Sequence, residues 1–128
     1  MRRVRLSTGF ELELDGDIRI VRVQVAKLTY PTLSPFFAEV RQLVEGGARK
    51  LVIDLQAVTY VDSASIGCLM DIYRLMQERS GAVKLSGVQP RVETMISMTG
   101  VHKLIDIHRE EAAALEAFEP TRKGKSDA

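Results

Sequence analysis

The sequence predicts an α/β fold: a single domain built on a mixed central sheet of about five strands, with four helices packed mainly on one side. Three observations carry that expectation. A short, almost wholly apolar run, Lys50-Leu-Val-Ile-Asp-Leu55, is of the kind buried on both faces of a sheet. On either side of it apolar residues recur at helical spacing, Phe36, Val40, Leu43 and Val44 before it, Ile66, Leu69, Met70, Tyr73 and Met76 after it. Strand and helix patterns then alternate to the end of the chain.

The elements follow in order. Phe10, Leu12 and Leu14 alternate with Glu11 and Glu13, meet Asp15-Gly16, and resume as Ile18, Ile20, Val23 and Val25, which predicts a hairpin with one solvated face. Ser34-Pro35 reads as the N-cap and first-turn proline of a first helix that Gly46-Gly47 ends. The strand at 51–55 is followed by Asp62-Ser63, where a second helix starts, to end near Ser80-Gly81. Ala82 to Leu85 predict a strand, and Pro90 opens a third helix with Val92, Met95, Ile96 and Thr99 on one side and Gly100 as its stop. Leu104 to Ile107 predict a last strand and Ala112 to Phe118 a last helix. Met70, Met76, Met95 and Met98 are expected in the core. The domain is expected over 1–119, with a disordered C-terminal tail over 120–128, which carries no apolar pattern.

Composition narrows the function classes. Of 128 residues 45% are hydrophobic and 27% charged, the balance of an ordinary globular domain. Eighteen Lys and Arg against 17 Asp and Glu give a net charge of +1, too little to draw the chain onto nucleic acid or an anionic membrane. Arg2, Arg3 and Arg5 cluster at the N-terminus and read as a solvated end. Cys68 is a single cysteine, no signal-like segment opens the chain, and no apolar run approaches the ~18 residues that cross a bilayer. The expected compartment is the cytoplasm, with no direct membrane contact and no nucleic-acid partner.

No catalytic, metal or cofactor site is expected. Asp54 invites comparison with the phospho-acceptor of a receiver domain, but Asp15 and Asp17 belong to a hairpin turn and leave no acidic pair for Mg²⁺. Asp54 is expected to hydrogen-bond a neighbouring loop instead. Ser63 with His102 or His108 lacks the Gly-x-Ser-x-Gly turn of a hydrolase, and two histidines and one cysteine at these separations do not form a zinc site. Cys68 reads as a small buried side chain.

The chemistry that remains lies at Asp62-Ser63-Ala64-Ser65, where a buried strand gives way to an amphipathic helix. A helix entrance exposes unpaired N–H groups and a partial positive charge, which suits a phosphoserine. On spacing alone, a simple N-cap by Asp62 or Ser63, contributing ~1 kcal/mol, explains the pattern better.

Several segments together change that balance: Lys50-Leu-Val-Ile-Asp-Leu55 with Val58-Thr-Tyr-Val-Asp-Ser63, the helix Ile66-Gly-Cys-Leu-Met70, Val83-Lys-Leu-Ser-Gly-Val-Gln-Pro-Arg-Val92, and Met98-Thr-Gly-Val-His-Lys-Leu104. In that order and spacing, from about Phe10 to Phe118, the chain resembles the STAS domain family, and within it the bacterial anti-sigma factor antagonists. The resemblance implies a non-enzymatic phosphoprotein of transcription regulation. Such a protein binds an anti-sigma factor with serine kinase activity when unphosphorylated, releases it when phosphorylated, and is reset by a serine phosphatase. By position the acceptor is Ser63, and the partner-binding residues are Asp62, Ser63, Ala64 and Ser65 with Thr29 and Tyr30 on the neighbouring loop. Ser65 stands where the family usually has glycine, and Ala26-Lys27-Leu28-Thr29-Tyr30 replaces a Gly-Glu-Leu-Asp type of loop. Tyr30 is balanced between packing and partner contact, whereas Pro31 is expected to pack. The alternative is a constitutive scaffold subunit of a transporter or signalling complex, in which Asp62-Ser63 is only a cap.

Overall fold

In the computed structural model, which describes residues 2–7 and 9–118, the chain opens with an antiparallel meander. Its strands are β1 (Arg2–Ser7), β2 (Phe10–Asp15) and β3 (Ile18–Val23). Gly16 and Asp17 close the β2–β3 hairpin, and Gly16 supplies the positive φ of 62° that a residue with a Cβ adopts at a cost. The chain continues through β4 (Lys27–Leu28), α1 (Tyr30–Glu45), β5 (Lys50–Asp54), β6 (Tyr60–Val61), α2 (Ser63–Glu78), β7 (Ala82–Ser86) and α3 (Pro90–Ser97). A short 3₁₀ turn, Val101–Lys103, precedes β8 (Asp106–His108) and α4 (Glu111–Ala117).

The main sheet has the order β1-β2-β3-β5-β7-β8, antiparallel across its first two joins and parallel across the rest, while β4 and β6 pair as a separate parallel ribbon. The α/β class, the four helices and the mixed sheet match the sequence expectation. The strand added to the expected five is β1, whose register sets Arg3 opposite Glu13 and Arg5 opposite Glu11. That backbone register makes a strand of the segment read from the sequence as a solvated end.

From β3 onward each crossover steps one strand further in the same direction, and right-handed crossovers then set α1, α2 and α3 on one face. Phe36, Val40 and Val44 of α1, Leu69, Ile72 and Met76 of α2 and Val92 and Ile96 of α3 bury themselves there against Val21, Leu51, Ile53 and Leu85. The Phe10 and Phe36 rings stack with centroids 5.4 Å apart. The run at 51–55 is covered on both sides as expected, because Val52 faces the opposite way with Ile18, Ile20 and Ala114 of α4.

On that second face Arg22 holds α4 in place. Its Nε and Nη2 donate to Glu111 at 3.0 and 2.7 Å, and its Nη1 lies 2.6 Å from buried Glu13 and 3.3 Å from Glu11. Burial opposes the guanidinium charge, but Glu111 and Glu13 more than offset it and push the Arg22 pKa up. Lys84 adds a cation over the Phe118 ring at 4.9 Å and an ion pair with Asp106 at 2.7 Å.

Two expected boundaries and one core residue move. The first helix starts at Tyr30 with Thr29 as N-cap and Pro31 in the first turn, so Ser34 caps nothing and Pro35 lies inside the helix. Pro31 fits the first-turn role as well as Pro35 does, since both fix φ, and the earlier proline extends the helix by a turn. The last strand falls at Asp106–His108 because Val101–Lys103 turns as 3₁₀ helix. Met98 is 83% exposed, beyond the end of α3, and leaves the core to Met76 with Met70 and Met95 at its edge. The tail expected over 120–128 lies outside the described residues. Among the described residues no helix is long and apolar enough to cross a membrane.

Replacing Arg22 by Met removes the cation shared by Glu13 and Glu111, and breaking a buried ion pair from one side costs about 3 kcal/mol or more. Urea denaturation at neutral pH is expected to show that loss, and hydrogen exchange to show α4 amides opening ahead of the main sheet.

Candidate docking and phosphorylation site

The parallel ribbon positions the site. Lys27 pairs with Tyr60 and Leu28 with Val61, and both Leu28 and Val61 are buried. The Ala26 carbonyl accepts from Thr59 N at 2.7 Å, Thr59 Oγ1 at 3.2 Å and Tyr60 N at 3.2 Å, which ties the two segments together. Each ribbon strand runs almost directly into a helix, β4 through Thr29 into α1 and β6 through Asp62 into α2. The mouths of two helices therefore open side by side.

Asp62 serves both mouths. Its Oδ1 accepts from the Ser65 amide at 2.8 Å, and its Oδ2 accepts from the Tyr30 amide, the first of α1, at 3.1 Å. Ser65 returns the contact: its Oγ accepts from the Asp62 amide at 2.9 Å and donates to the Asp62 carbonyl at 2.8 Å, completing a capping box. Burial works to raise the Asp62 pKa, yet the Ser65 and Tyr30 amides hold the carboxyl below its ordinary value.

The residues singled out in the sequence divide into two groups. Ser63, Ala64 and Tyr30 are exposed, Tyr30 to 76%, and the Ser63 hydroxyl makes no hydrogen bond among the described residues. Ser65 is fully buried with its hydroxyl engaged on both sides, so it builds the site and offers no surface to a partner. Thr29 is half-buried, and its carbonyl accepts from the amide and the hydroxyl of Thr32, both at 2.9 Å. Pro31 is exposed.

Sequence reasoning missed what flanks these residues. Between α1 and α2 lies a groove of about 660 Å³ walled by Tyr30, Pro31, Phe37, Ala64, Gly67 and Cys68, ending at the Asp71–Arg74 ion pair. On the ribbon side a second hollow, of about 490 Å³, is lined by Lys27, Thr59, Tyr60 and Arg91. Gly67, an interior helix glycine, was the one available signal. Cys68 is buried as expected, and burial, with the nearby Asp71 charge, pushes its thiol up to about 11, so it is no nucleophile at neutral pH.

Asp54 lies on the other face of the sheet, where its carboxylate accepts from the Gln56 amide at 2.9 Å and Ser86 Oγ at 3.1 Å, the loop contact expected of it. His102 is exposed, and half-buried His108 sits in β8 beside Asp106 with its pKa lowered by burial and by Lys84.

Residues 10–114 match the family model of the STAS domain. The chain belongs to the STAS domain family. Among curated proteins it is similar to an anti-sigma F factor antagonist of Paenibacillus polymyxa, at 28% identity over 69 residues, 54% of this chain. That match spans only 59% of the relative's own length. The fold is that of a putative anti-sigma factor antagonist from Thermotoga maritima, with a TM-score of 0.76 at 23% identity, covering 84% of this STAS domain chain and 92% of the other. It is shared with the Bacillus cell fate determinant SpoIIAA, solved in its phosphorylated form, with a TM-score of 0.67 at 16% identity over 86% and 99% of the two chains.

Asp62→Ala strips the cap from α2 and the acceptor from α1, an expected loss of about 1–2 kcal/mol at pH 7. Because the folded Asp62 pKa is depressed, the wild-type advantage is present above the unfolded value near pH 4 and fades as pH falls through the folded pKa. Urea midpoints of the two proteins are therefore expected to converge as pH is lowered below the ordinary aspartate range.

Proposed function

We propose that this STAS domain protein is a cytoplasmic, non-enzymatic anti-sigma factor antagonist. It binds an anti-sigma factor with serine kinase activity while Ser63 is unmodified, releases it when that kinase phosphorylates Ser63, and is reset by a serine phosphatase. The observation that carries the reading is the contrast between two neighbouring hydroxyls. Ser63 Oγ stands free at an exposed helix mouth, and Ser65 Oγ is locked in a capping box. Of these two hydroxyls, only that of Ser63 is open to a kinase.

The physics of release is local. A phosphoserine adds about −1.5 to −2 charge at neutral pH. At Ser63 that charge stands next to the Asp62 carboxylate, in a surface that docking must dehydrate. Asp62 already takes one amide at each of the two helix mouths, which reduces what they offer the phosphate. An uncompensated charge buried at an interface costs about 2–5 kcal/mol, a loss of roughly 30-fold to several-thousand-fold in affinity. The relatedness to anti-sigma factor antagonists and the existence of a phosphorylated form of a protein with this fold support the reading.

The test pairs chemistry with binding. Each candidate serine-kinase anti-sigma factor of the source genome is incubated with the protein and ATP, and intact mass with peptide mapping is expected to place one phosphate on Ser63. In titration calorimetry Ser63→Ala is expected to keep the affinity of the unmodified protein, and Ser63→Asp to weaken it at least 10-fold, less than a true phosphate because it carries about one charge. Equal affinities for the two variants, with no phosphorylated species, would overturn the switch and favour a constitutive scaffold.

A further inference from the structure

The groove between α1 and α2 contains a glycine that the fold does not need. Gly67 is the fifth residue of α2, in helical conformation, and a Cβ built on it would meet no atom within 4 Å. Glycine inside a helix costs about 1 kcal/mol relative to alanine. Neither a turn, a positive φ nor a close contact within the chain requires it, so the bare backbone is open to something outside the chain. The walls beside it are apolar or small, Tyr30, Phe37, Ala64 and Cys68.

The surface has a direction. At its ribbon end stand Lys27 and Arg91, both exposed and without an ion pair among the described residues, on either side of half-exposed Tyr60. Next come Tyr30 and Ser63 at the helix mouths, then Gly67, and the groove closes at Asp71 and Arg74, whose charges are spent on each other at 3.0 Å. One end is cationic, the middle is apolar, and the far end is neutral.

We propose that this groove receives one amphipathic helix of the partner protein, apolar on the face that meets Gly67 and acidic at the end that reaches Lys27 and Arg91. The inference rests on the partner-switching reading above and names the element that the site recognises. A helix is the occupant because the groove is walled by helices whose backbone groups beyond the opening turns are mostly bonded within themselves. An extended segment laid there would lose its own hydrogen bonds to water and gain none. From Ala64 to Arg74 the α2 wall rises about 15 Å, which seats nearly three turns of a helix. A phosphate on Ser63 then stands between the cationic end and the apolar middle, directly against the acidic end of the incoming helix.

The test substitutes the glycine. Gly67→Leu projects into open groove, so the variant is expected to melt at or above the wild-type temperature while binding the kinase anti-sigma factor at least about tenfold more weakly. The double variant Lys27→Glu, Arg91→Glu is expected to lose about tenfold as well and to bind with a flatter dependence on salt. If the wild type binds the factor and is released by phosphorylation, yet Gly67→Leu binds equally well, this proposal falls and the switch stands. If no factor binds the wild type, both fall. A wild-type dimer in light scattering that Gly67→Leu disperses would assign the groove to a second copy and overturn the proposal. An unchanged affinity and salt dependence in the charge-reversed double variant would remove the acidic end.

Discussion

The carboxylate of Asp62 is the contact on which the site depends. Two amides that stand 35 residues apart in sequence, those of Tyr30 and Ser65, converge on its two oxygens, and each belongs to the opening turn of a 16-residue helix. Helix openings leave donors without partners, and satisfying them from one side chain fixes the helices relative to one another as well as to the strands that feed them. The magnitudes separate the roles of adjacent residues. A cap contributes about 1 kcal/mol to stability, whereas a charge that must be dehydrated at an interface costs several times as much. Asp62 is thereby a residue of architecture, and Ser63, one position on, is free to be a residue of regulation.

The sheet divides labour between its faces. One face carries α1, α2 and α3 over a continuous apolar core and ends in the helix mouths. The other carries α4, clamped by Arg22 and Glu111, and the buried polar pair Asp54 and Ser86. Polar groups inside a protein persist when their hydrogen-bonding capacity is met, and Asp54 meets its own within its neighbourhood. Its position at the end of a central strand invites a catalytic reading, but its bonds are those of a loop anchor.

Much of this was legible in the sequence, and the gaps have physical causes. The central strand and the second helix were readable because their apolar spacing is uninterrupted and because Asp62-Ser63 offers an N-cap where the helix begins. The start of the first helix was misplaced because two prolines, Pro31 and Pro35, compete for the same first-turn role, and spacing cannot rank them. The first strand was hidden because its arginine-rich sequence reads as a solvated end, and its place in the sheet comes only from backbone pairing with β2. Met98 kept helical spacing past the point where α3 ends, and so fell outside the core. At the site, the place of Ser63 at the start of the second helix was readable from the sequence. The second bond of Asp62, the burial of Ser65 and the groove at Gly67 were not, because each depends on which helix lies beside which.

The ribbon that joins the two helix mouths also bears on the order of assembly. Its defining contacts, Thr59 to Ala26 and Tyr30 to Asp62, link segments 33 and 32 residues apart, whereas the β2–β3 hairpin is closed by neighbours. Long-range pairings bear a larger loop-closure cost and are favoured only once other structure has brought their ends together. The paired helix mouths therefore form later than the β2–β3 hairpin, at a sequence separation like that of the parallel pairs Ile18–Lys50 and Lys50–Ala82. A chain in which these distant pairings have not formed has no paired mouths, so the surface they frame belongs to the completed fold alone.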